Sequence, residues 1–425
     1  MYQDCQCEAC LALAEGSGAV KLAAPGEGDG LPPWLMGFLK NIHDGSTGPG
    51  IIDQGYYSHI AKDLLSGAAE GLGGTSFGAD DYRNTLKAYL DQNIYAFSSA
   101  RSLYMLEQYR NFLTDAQGNL LSESAFINKV SGLVEIDNIT YLKTERNSAI
   151  ASAQMAEKWH GLQAFPALEY RTMEDNRVRP EHAILDNLVL ATDDPRWNTI
   201  YPPNGWNCRC LVLPAAGDAV LAGDDHATNA VKAADIQPYF KRNVGKQRLI
   251  YAGDHPYIEK IGESKLHELD AEKNYGLRSG EKIYATDELP TFAPDTDKGF
   301  ALGWWKEQAG SLNADFELKS VDNLSVNFDV EFRRHVLDDN RDNRSRFLKE
   351  LKEVLQNPDE VWSNRLKGTV TNIYLKYFED APLALIVDAD KTVRAATFYE
   401  VKKNGKINYK ALKNLRKGAL KYKNR

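Results

Sequence analysis

Two cysteines and a histidine lie in one polar segment of the sequence and together offer the donors of a metal site. The cysteines are Cys208 and Cys210, and His182 lies upstream of them. Thiolate sulfur and imidazole nitrogen are donors that zinc prefers in proteins. The Cys-x-Cys spacing departs from the usual Cys-x2-Cys, and the fourth ligand is open, with Asp186 as one candidate. The alternative is that buried hydrogen bonds and thiol packing hold this segment together without metal.

Other side chains of the same segment are spaced so that they can pair. Asp175 and Arg179 lie four residues apart, and His182 and Asp186 have the same spacing. In a helix this spacing brings side chains together, and a carboxylate beside an imidazole can fix its tautomer. We find no nucleophile and base arranged as in an enzyme. The segment is therefore interpreted as structural.

A histidine near the other end of the sequence suggests a different chemistry. His335 directly follows Arg333 and Arg334, and Lys376 lies downstream in a strand-like stretch. Metal-free cleavage of RNA requires a base for the 2′-hydroxyl, an acid for the leaving oxygen and cations for the phosphate. Because the pKa of histidine normally lies near neutrality, His335 is the candidate base or acid. Lys376 is the candidate for neutralising the phosphate.

The alternation of side chains along strands supplies the other candidate catalytic residues. Tyr374 and Lys376 share one strand face, and Thr397 and Tyr399 share a face of another strand. We expect the two faces to line one concave site, where Thr397 and Tyr399 bind phosphate oxygens or stack on a base. Arg394 alternates to the opposite face and ranks lower. The alternative is a surface cluster beside ordinary strand composition.

Basic residues are concentrated near the C-terminus, although the chain is acidic overall. The formal net charge is -8, yet residues 391–425 hold twelve Lys and Arg residues and one acidic residue, Glu400. A basic stretch on an acidic body indicates local contact with a polyanion; the alternative is a solvated tail. The residues expected to attract a nucleic-acid backbone are Arg333, Arg334, Arg365 and Arg394.

Composition favours a soluble globular protein of two or three domains. Of the 425 residues, 43% are hydrophobic and 26% are charged. No stretch reaches the ~20 apolar residues that span a bilayer, and the N-terminus lacks the pattern of a secretory signal, so no membrane partner is expected. The five cysteines form two tight clusters, which favours reduced thiols over a disulfide framework. The first cluster comprises Cys5, Cys7 and Cys10. It is interpreted as part of a mobile tail; the alternative is a zinc site shared with the second cluster.

The pattern of apolar residues divides the chain into four segments. Residues 1–55 contain many glycines and are predicted to be a flexible N-terminal segment. Residues 56–215 show helical spacing followed by an irregular, loop-rich stretch, and residues 216–300 are predicted to be a connector. Residues 301–425 are predicted to form a small α+β module with a basic tail.

Within the C-terminal module, one helix is predicted before an antiparallel meander. Asn357-Pro358 ends the helix predicted over Phe347–Leu355, and turn residues separate the strands that follow. The strands are predicted over Val370–Phe378, Leu383–Val387 and Val393–Val401. The predicted fold class is thus multidomain α+β, with a mainly helical N-terminal domain.

One stretch of the sequence is far more specific than the rest. It comprises Met173 to His182, then Leu185-Asp186-Asn187, and ends in Tyr201 to Cys210. The motif residues in this stretch are Asp175, Arg179, His182, Leu185-Asp186, Pro202-Pro203-Asn204 and Cys208-Arg209-Cys210. These residues, with Lys143 to Asn147 upstream, resemble the phage Mu F-like family of head-morphogenesis proteins. The resemblance covers roughly residues 80–215.

That resemblance implies a minor capsid protein that lies with the portal inside the procapsid and assists head assembly or DNA packaging. The implied partners are the portal protein, capsid or scaffold components, and phage DNA. The amphipathic helices of residues 56–160 are candidates for oligomer or portal contacts. The implied location is the capsid interior of the virion or the cytoplasm of the bacterial host.

Four short motifs near the C-terminus point to a second family. They are Arg333-Arg334-His335, Gln356 to Trp362, Tyr374-Leu375-Lys376 and Thr397-Phe398-Tyr399. They resemble the barnase/EndoU/colicin/RelE-like ribonucleases of phage proteins. The resemblance implies a barnase-like, metal-independent endoribonuclease with RNA as substrate and an immunity protein as a further partner. Its catalytic residues would be His335, Lys376, Thr397 and Tyr399.

Three functions remain open from the sequence. The first is a head-assembly protein whose C-terminal module cleaves RNA. The sequence identifies no cofactor for this reaction, and a structural zinc ion is the alternative to a metal-free chain. In the second, this module only binds nucleic acid, for instance packaged DNA. In the third, the whole chain is a toxin that the phage head delivers.

Overall fold

A computed structural model of the protein describes residues 31–295, 298–338 and 344–424. The predicted N-terminal cysteine cluster lies outside these ranges. The chain divides into two compact units. Unit 1 comprises the described residues before Gly50, together with Asp53–Gly73 and Ala100–Gly262. Unit 2 comprises Gly50–Ile52, Gly74–Ser99 and the described residues from Glu263 onward.

Unit 1 is mainly helical. Its elements are α1 (Pro33–His43), α2 (Gln54–Leu72), the second part of α3 (Tyr82–Arg110), α4 (Glu123–Glu135), a π turn (Ile136–Thr140), α5 (Tyr141–Leu162), β1 (Ala167–Arg171), α6 (Pro180–Ala183), β2 (Val189–Ala191), α7 (Trp197–Ile200), β3 (Leu211–Pro214), α8 (Asp224–Ala233), a 3-10 turn (Pro238–Phe240), α9 (Val244–Gln247) and α10 (Pro256–Ile261). In the described part of the chain, no helix is both long and apolar enough to cross a bilayer.

Local sequence explains how the second helix begins, ends and packs. The Asp53 carboxylate accepts a hydrogen bond from the Tyr56 amide (2.8 Å) and caps the start of α2. Gly73, with a φ of 77°, ends it in the left-handed conformation that glycine adopts readily. A Cβ on Gly71 would lie 2.4 Å from the carbonyl oxygen of Ile150. Glycine at this position therefore permits α2 and α5 to approach closely.

A buried ion pair joins α3 to α5. Arg101 Nε lies 3.0 Å from Glu145 Oε2, and both side chains are fully buried. The Arg101 guanidinium also donates to the Tyr56 hydroxyl and to the Asp137 carbonyl. Since an unpaired charge is very costly inside a protein, this pair determines how the two helices meet.

A small antiparallel sheet closes the loop that contains the specific motif. Strand β1 pairs with β2 on one side and with β3 on the other. Arg171, at the end of β1, is the register partner of Leu211, at the start of β3. The strands therefore hold the two ends of residues 172–210 side by side.

Unit 2 combines short helices with a larger sheet. Its elements are the first part of α3, α11 (Glu263–His267), α12 (Gly280–Thr286), α13 (Lys298–Ala309), β4 (Phe316–Lys319), β5 (Ser325–Phe328), α14 (Val330–Arg333), a π turn (Arg334–Asp338), a 3-10 turn (Arg344–Glu350), α15 (Leu351–Gln356), β6 (Glu360–Leu366), β7 (Thr369–Tyr377), β8 (Pro382–Ala389), β9 (Val393–Glu400), β10 (Lys402–Lys403), β11 (Lys406–Ile407), α16 (Tyr409–Leu415) and β12 (Ala419–Lys423).

The larger sheet has the strand order β12-β6-β7-β8-β9-β5-β4 among the described residues. Its pairings are antiparallel except for β5 with β9, which is parallel. One face packs on a hydrophobic core that includes Trp305, Phe328, Leu351, Tyr374 and Phe398. Burial of alternate residues along these strands is what the sequence alternation predicts.

A buried carboxylate connects segments of unit 2 that are distant in sequence. Asp322, after β4, forms an ion pair with Lys421 of β12. It also accepts from the Tyr374 hydroxyl (2.8 Å), and its carbonyl accepts from Lys87 of α3 (3.1 Å). Burial acts to raise the pKa of Asp322, but Lys421 and Lys87 hold it well below its usual range.

The predicted fold class is confirmed, since the chain is multidomain α+β with a helical N-terminal part and a C-terminal mixed sheet. The strands predicted over residues 370–401 are present as β7, β8 and β9. The helix predicted over Phe347–Leu355 is instead a 3-10 turn followed by α15. The sequence did not predict β4, β5, β6 or β12.

The segment divisions differ from the expectation in two places. Residues 1–55 were expected to be flexible, yet α1 lies in this range and buries Leu35, Phe38 and Leu39. The expected connector, residues 216–300, is divided between the units after Gly262. Apolar side chains explain both differences, because they gain free energy when the rest of their own unit buries them.

Replacing Glu145 by Gln should destabilise the protein strongly, because it leaves the buried Arg101 without its counter-charge. We expect the free energy of unfolding to fall by about 3–5 kcal/mol. The matched control is Glu70→Gln, whose carboxylate pairs with Arg146 but is 58% exposed, so less than about 1 kcal/mol should be lost. Urea denaturation followed by circular dichroism compares the variants. Equal losses would contradict the role given to the buried pair.

Candidate functional sites

Ion pairs and hydrogen bonds clamp the loop of residues 172–210 internally. Asp175 forms a bidentate ion pair with Arg209, whose two terminal nitrogens donate to the two carboxylate oxygens at 2.7 and 2.8 Å. Hydrogen bonds from Arg209 hold the pKa of Asp175 at about 2. Arg179 instead donates to the Trp206 carbonyl (2.7 Å). The predicted Asp175–Arg179 pair is therefore wrong, because residues 175–179 form turns, and α6 begins only at Pro180.

In space, the His182 side chain is equally close to the two cysteines of the loop. Its Nδ1 atom is 3.7 Å from Cys208 Sγ and 3.7 Å from Cys210 Sγ, and all three side chains are buried. A hydrogen bond with Cys210 and another with His182 lower the pKa of the Cys208 thiol well below its usual range. The pKa of Cys210 is raised, because it shares a hydrogen bond with Cys208 and is buried. The structure thus brings together the three predicted metal donors.

The other two motif residues have structural partners. The Asp186 carboxylate accepts hydrogen bonds from the backbone amide (2.7 Å) and hydroxyl (3.0 Å) of Thr172. The predicted His182–Asp186 pair is wrong, because Asp186 holds the start of the loop. Asn204, which is buried, accepts from the Tyr170 hydroxyl (2.8 Å) and ties the end of the motif to β1.

A cleft beside these clamps opens onto His182. Its volume is about 590 Å³. The lining is mostly polar and includes Arg179, Glu181, Asn204 and Lys241. This cleft and the three donors lie within unit 1.

The second candidate site is in unit 2, around His335. Arg344 donates to His335 Nε2 and to Thr397 Oγ1 (3.1 Å). Its guanidinium carbon lies 6.0 Å from the centre of the Tyr399 ring. Because a guanidinium only donates, His335 must accept through Nε2. Burial raises the pKa of Tyr399, and the charge of Arg344 opposes this effect.

A β-bulge shapes the strand that bears Thr397. In the pairing of β8 with β9, Ile386 faces Thr397 while Val387 faces Ala395, so Ala396 is an extra residue. One extra residue reverses the alternation of side chains beyond it. The prediction that Arg394 faces away from Thr397 is therefore wrong, and both lie on one face.

The cleft at His335 has a volume of about 700 Å³. Arg334 and Arg394 line it together with His335 and Glu331. Glu331 accepts from Arg394 at 3.0 Å. The cleft thus presents one imidazole and two guanidinium groups, one of which is paired with a carboxylate.

Lys376 is not part of this site. Its register partner on β8 is Leu383, whereas that of Thr397 is Ile386, three residues further along. Residues three apart on a regular strand face opposite sides of the sheet. Lys376 donates instead to Glu353 (2.7 Å) and to the Asn357 carbonyl (2.6 Å). The expectation that Lys376 lines the same concave site as Thr397 and Tyr399 is wrong.

Other basic residues are also engaged elsewhere. Arg333 is buried, and the Arg365 guanidinium lies 4.9 Å from the centre of the Tyr89 ring. Residues 391–424 do not form a solvated tail, since they include β9, α16 and β12. Several of their cations pair with carboxylates outside the stretch: Lys413 with Asp270 and Glu272, Arg416 with Glu360, Lys417 with Glu268, and Lys421 with Asp322.

Comparison with known families gives each site a context. Residues 122–213 match the model of the family described as Phage Mu protein F like protein. Residues 305–423 match the model described as phage-Barnase-EndoU-ColicinE5/D-RelE like nuclease2. The chain therefore contains a Mu F-like segment and a nuclease-like domain. Both resemblances predicted from the sequence are confirmed.

Two curated proteins resemble part of the chain. Capsid assembly protein F of Escherichia phage Mu is 35% identical over 103 residues, which are 24% of this chain and 22% of that protein. The Mu-like prophage FluMu F protein of Haemophilus influenzae is 37% identical over 73 residues, 17% of this chain and 18% of that protein. The chain thus spans about one fifth of the length of these relatives. No solved structure matches it.

Sequence reasoning missed Arg344 in the nuclease-like domain and the role of Arg209 in the Mu F-like segment. Arg344 is one of several arginines in a polar stretch, and nothing in its spacing distinguishes it. Arg209 lies between the two cysteines, so its position in the motif was a usable signal. Its partner, Asp175, is 34 residues away, which no local rule of spacing identifies.

Proposed function

We propose that the chain is a phage or prophage head protein that acts in head morphogenesis through its Mu F-like segment. The match over residues 122–213 carries this proposal, and the name of the phage Mu relative, a capsid assembly protein, agrees with it. The clamped loop supports a binding role, because internal ion pairs make its surface rigid before a partner arrives. The partners we propose are capsid components, among them the portal protein, and the location is the virion.

For the nuclease-like domain we propose metal-independent cleavage of RNA. Arg344 contacts both His335 and Thr397, and His335 lines the cleft with Arg334 and Arg394; this arrangement supports the activity. Arg344 and Arg334 would bind the phosphate, because guanidinium groups match phosphate oxygens in geometry and charge. Thr397 would position Arg344, and Tyr399 would stack on a base or bind a phosphate oxygen.

The proposed reaction is a transfer of the phosphoryl group within RNA. His335 Nε2 takes the proton of a 2′-hydroxyl, whose oxygen attacks the adjacent phosphorus. The bond between phosphorus and the 5′-oxygen breaks, and the leaving oxygen takes a proton from water in the cleft. The imidazolium then releases its proton to solvent. The products are a 2′,3′-cyclic phosphate and a 5′-hydroxyl.

In this mechanism Arg344 has two successive partners. Without RNA it donates to His335 Nε2. A phosphate in the cleft attracts the guanidinium more strongly than an imidazole nitrogen does. Arg344 then moves to the phosphate, and Nε2 becomes available to the 2′-hydroxyl.

Replacing His335 by Ala in the full chain should reduce RNA cleavage by about 100-fold or more, because the general base is lost. The assay follows total bacterial RNA in the presence of EDTA. The matched control is Lys376→Gln, which removes the cation that pairs with Glu353 on the other face of the sheet. Its cleavage rate should stay within about two-fold of wild type.

Three outcomes would contradict the proposed nuclease site. Cleavage that survives the loss of His335 would exclude it as the base. Cleavage lost in the Lys376 variant as well as in the His335 variant would restore the arrangement expected from the sequence. RNA that is bound in a salt-sensitive manner but never cut would favour a nucleic-acid-binding domain.

The full chain should sediment with procapsids when it is produced together with the portal and head proteins of its own phage or prophage. The matched control is His335→Ala, which should sediment equally well, because the substitution lies outside the Mu F-like segment. Density-gradient centrifugation followed by mass spectrometry measures the association. A chain that stays at the top of the gradient at low salt would contradict the head-assembly role.

A further inference from the structure

The Mu F-like segment contains a cluster of three metal-binding donor atoms that the proposed capsid role does not use. The donors are His182 Nδ1, Cys208 Sγ and Cys210 Sγ, which lie within 4.8 Å of one another. The exposed fractions of the three residues are 4%, 8% and 9%. The cluster is therefore shielded from bulk water but not sealed from entering ions.

We propose that His182, Cys208 and Cys210 bind one Zn²⁺ ion, with a water molecule from the neighbouring cleft as the fourth ligand. Distances support this geometry. Zinc bonds of about 2.3 Å to sulfur and about 2.05 Å to nitrogen, at a tetrahedral angle, separate the two donor atoms by about 3.6 Å. Both observed distances from Nδ1 to sulfur are 3.7 Å.

The surrounding clamps hold the donors in place independently of a metal. Arg179, directly before α6, is bonded to the Trp206 carbonyl on the approach to Cys208. The pair between Asp175 and Arg209 fixes the residue between the two cysteines. A donor set that is positioned beforehand loses little conformational entropy when it binds an ion.

The fourth ligand follows from what surrounds the cluster. Within the described residues, the group of potential ligands contains three members, and Asp186, the candidate from the sequence, is engaged by Thr172. The cleft of about 590 Å³ that His182 lines provides space for water. Sites with three protein ligands normally keep such an open position.

The chemistry of the donors indicates the kind of ion. Two thiolates and one imidazole favour Zn²⁺ over the hard cations Mg²⁺ and Ca²⁺, which prefer oxygen. The bound ion would connect α6 to the start of β3, within the loop that the small sheet closes. Binding should therefore stabilise unit 1 without altering the nuclease-like domain.

Titration of the reduced, metal-free full chain with Co²⁺ tests the proposal, because cobalt occupies zinc sites and is coloured. We expect one Co²⁺ per chain, with an intense sulfur-to-cobalt charge-transfer band and strong visible bands typical of tetrahedral coordination. Addition of Zn²⁺ should displace Co²⁺ and abolish the charge-transfer band and the visible bands. Cys208→Ser and Cys210→Ser should each weaken Co²⁺ binding at least 100-fold.

The matched control is the variant with Ser at Cys5, Cys7 and Cys10, which should bind Co²⁺ as wild type does. Circular dichroism of each metal-free variant is compared with that of the metal-free wild type. An unchanged spectrum shows that weaker Co²⁺ binding results from the missing thiol and not from loss of the fold. Absence of the charge-transfer band in the wild type would overturn the proposal. So would its loss in the N-terminal variant, or its persistence in folded protein that lacks both Cys208 and Cys210.

Discussion

An unpaired charge inside a protein is very costly, and buried ion pairs that avoid this cost hold segments together in both units. In unit 1 the pair of Arg101 and Glu145 determines where α3 meets α5. In unit 2 Asp322 is held by Lys421 of β12 and lies against Lys87 of α3. Such pairs join segments that are far apart in sequence. The nuclease-like domain therefore shares its core and its buried charges with a helix outside the range that matches its family.

The strands could be predicted from the sequence, but the shape of the site on them could not. Alternating apolar residues predicted Val370–Phe378, close to the observed Thr369–Tyr377, because half-buried strands expose every second residue. The bulge at Ala396 left no trace in composition, since one inserted residue changes only the register. That bulge brings Arg394 and Thr397 to the same face.

Individual pairings were less predictable than residue types. A spacing of four suggested Asp175 with Arg179, which requires a helix, but turns at this position leave Asp175 to Arg209. Lys376 was expected to supply the phosphate-binding charge, whereas Arg344 contacts His335. The cluster of His182 with the two cysteines was anticipated because few side chains bind soft metals. Residue chemistry thus limited the candidates, and only the fold determined which of them meet.

We propose that this chain joins a Mu F-like segment to a domain that cleaves RNA by using the 2′-hydroxyl as nucleophile. The chemical ends of the RNA fragments test it most directly, because they record which oxygen attacked the phosphorus. Mass spectrometry of fragments made by the full chain in EDTA should find 2′,3′-cyclic phosphates and 5′-hydroxyls. Fragments with 5′-phosphates and free 3′-hydroxyls would contradict this mechanism, since they require attack by water.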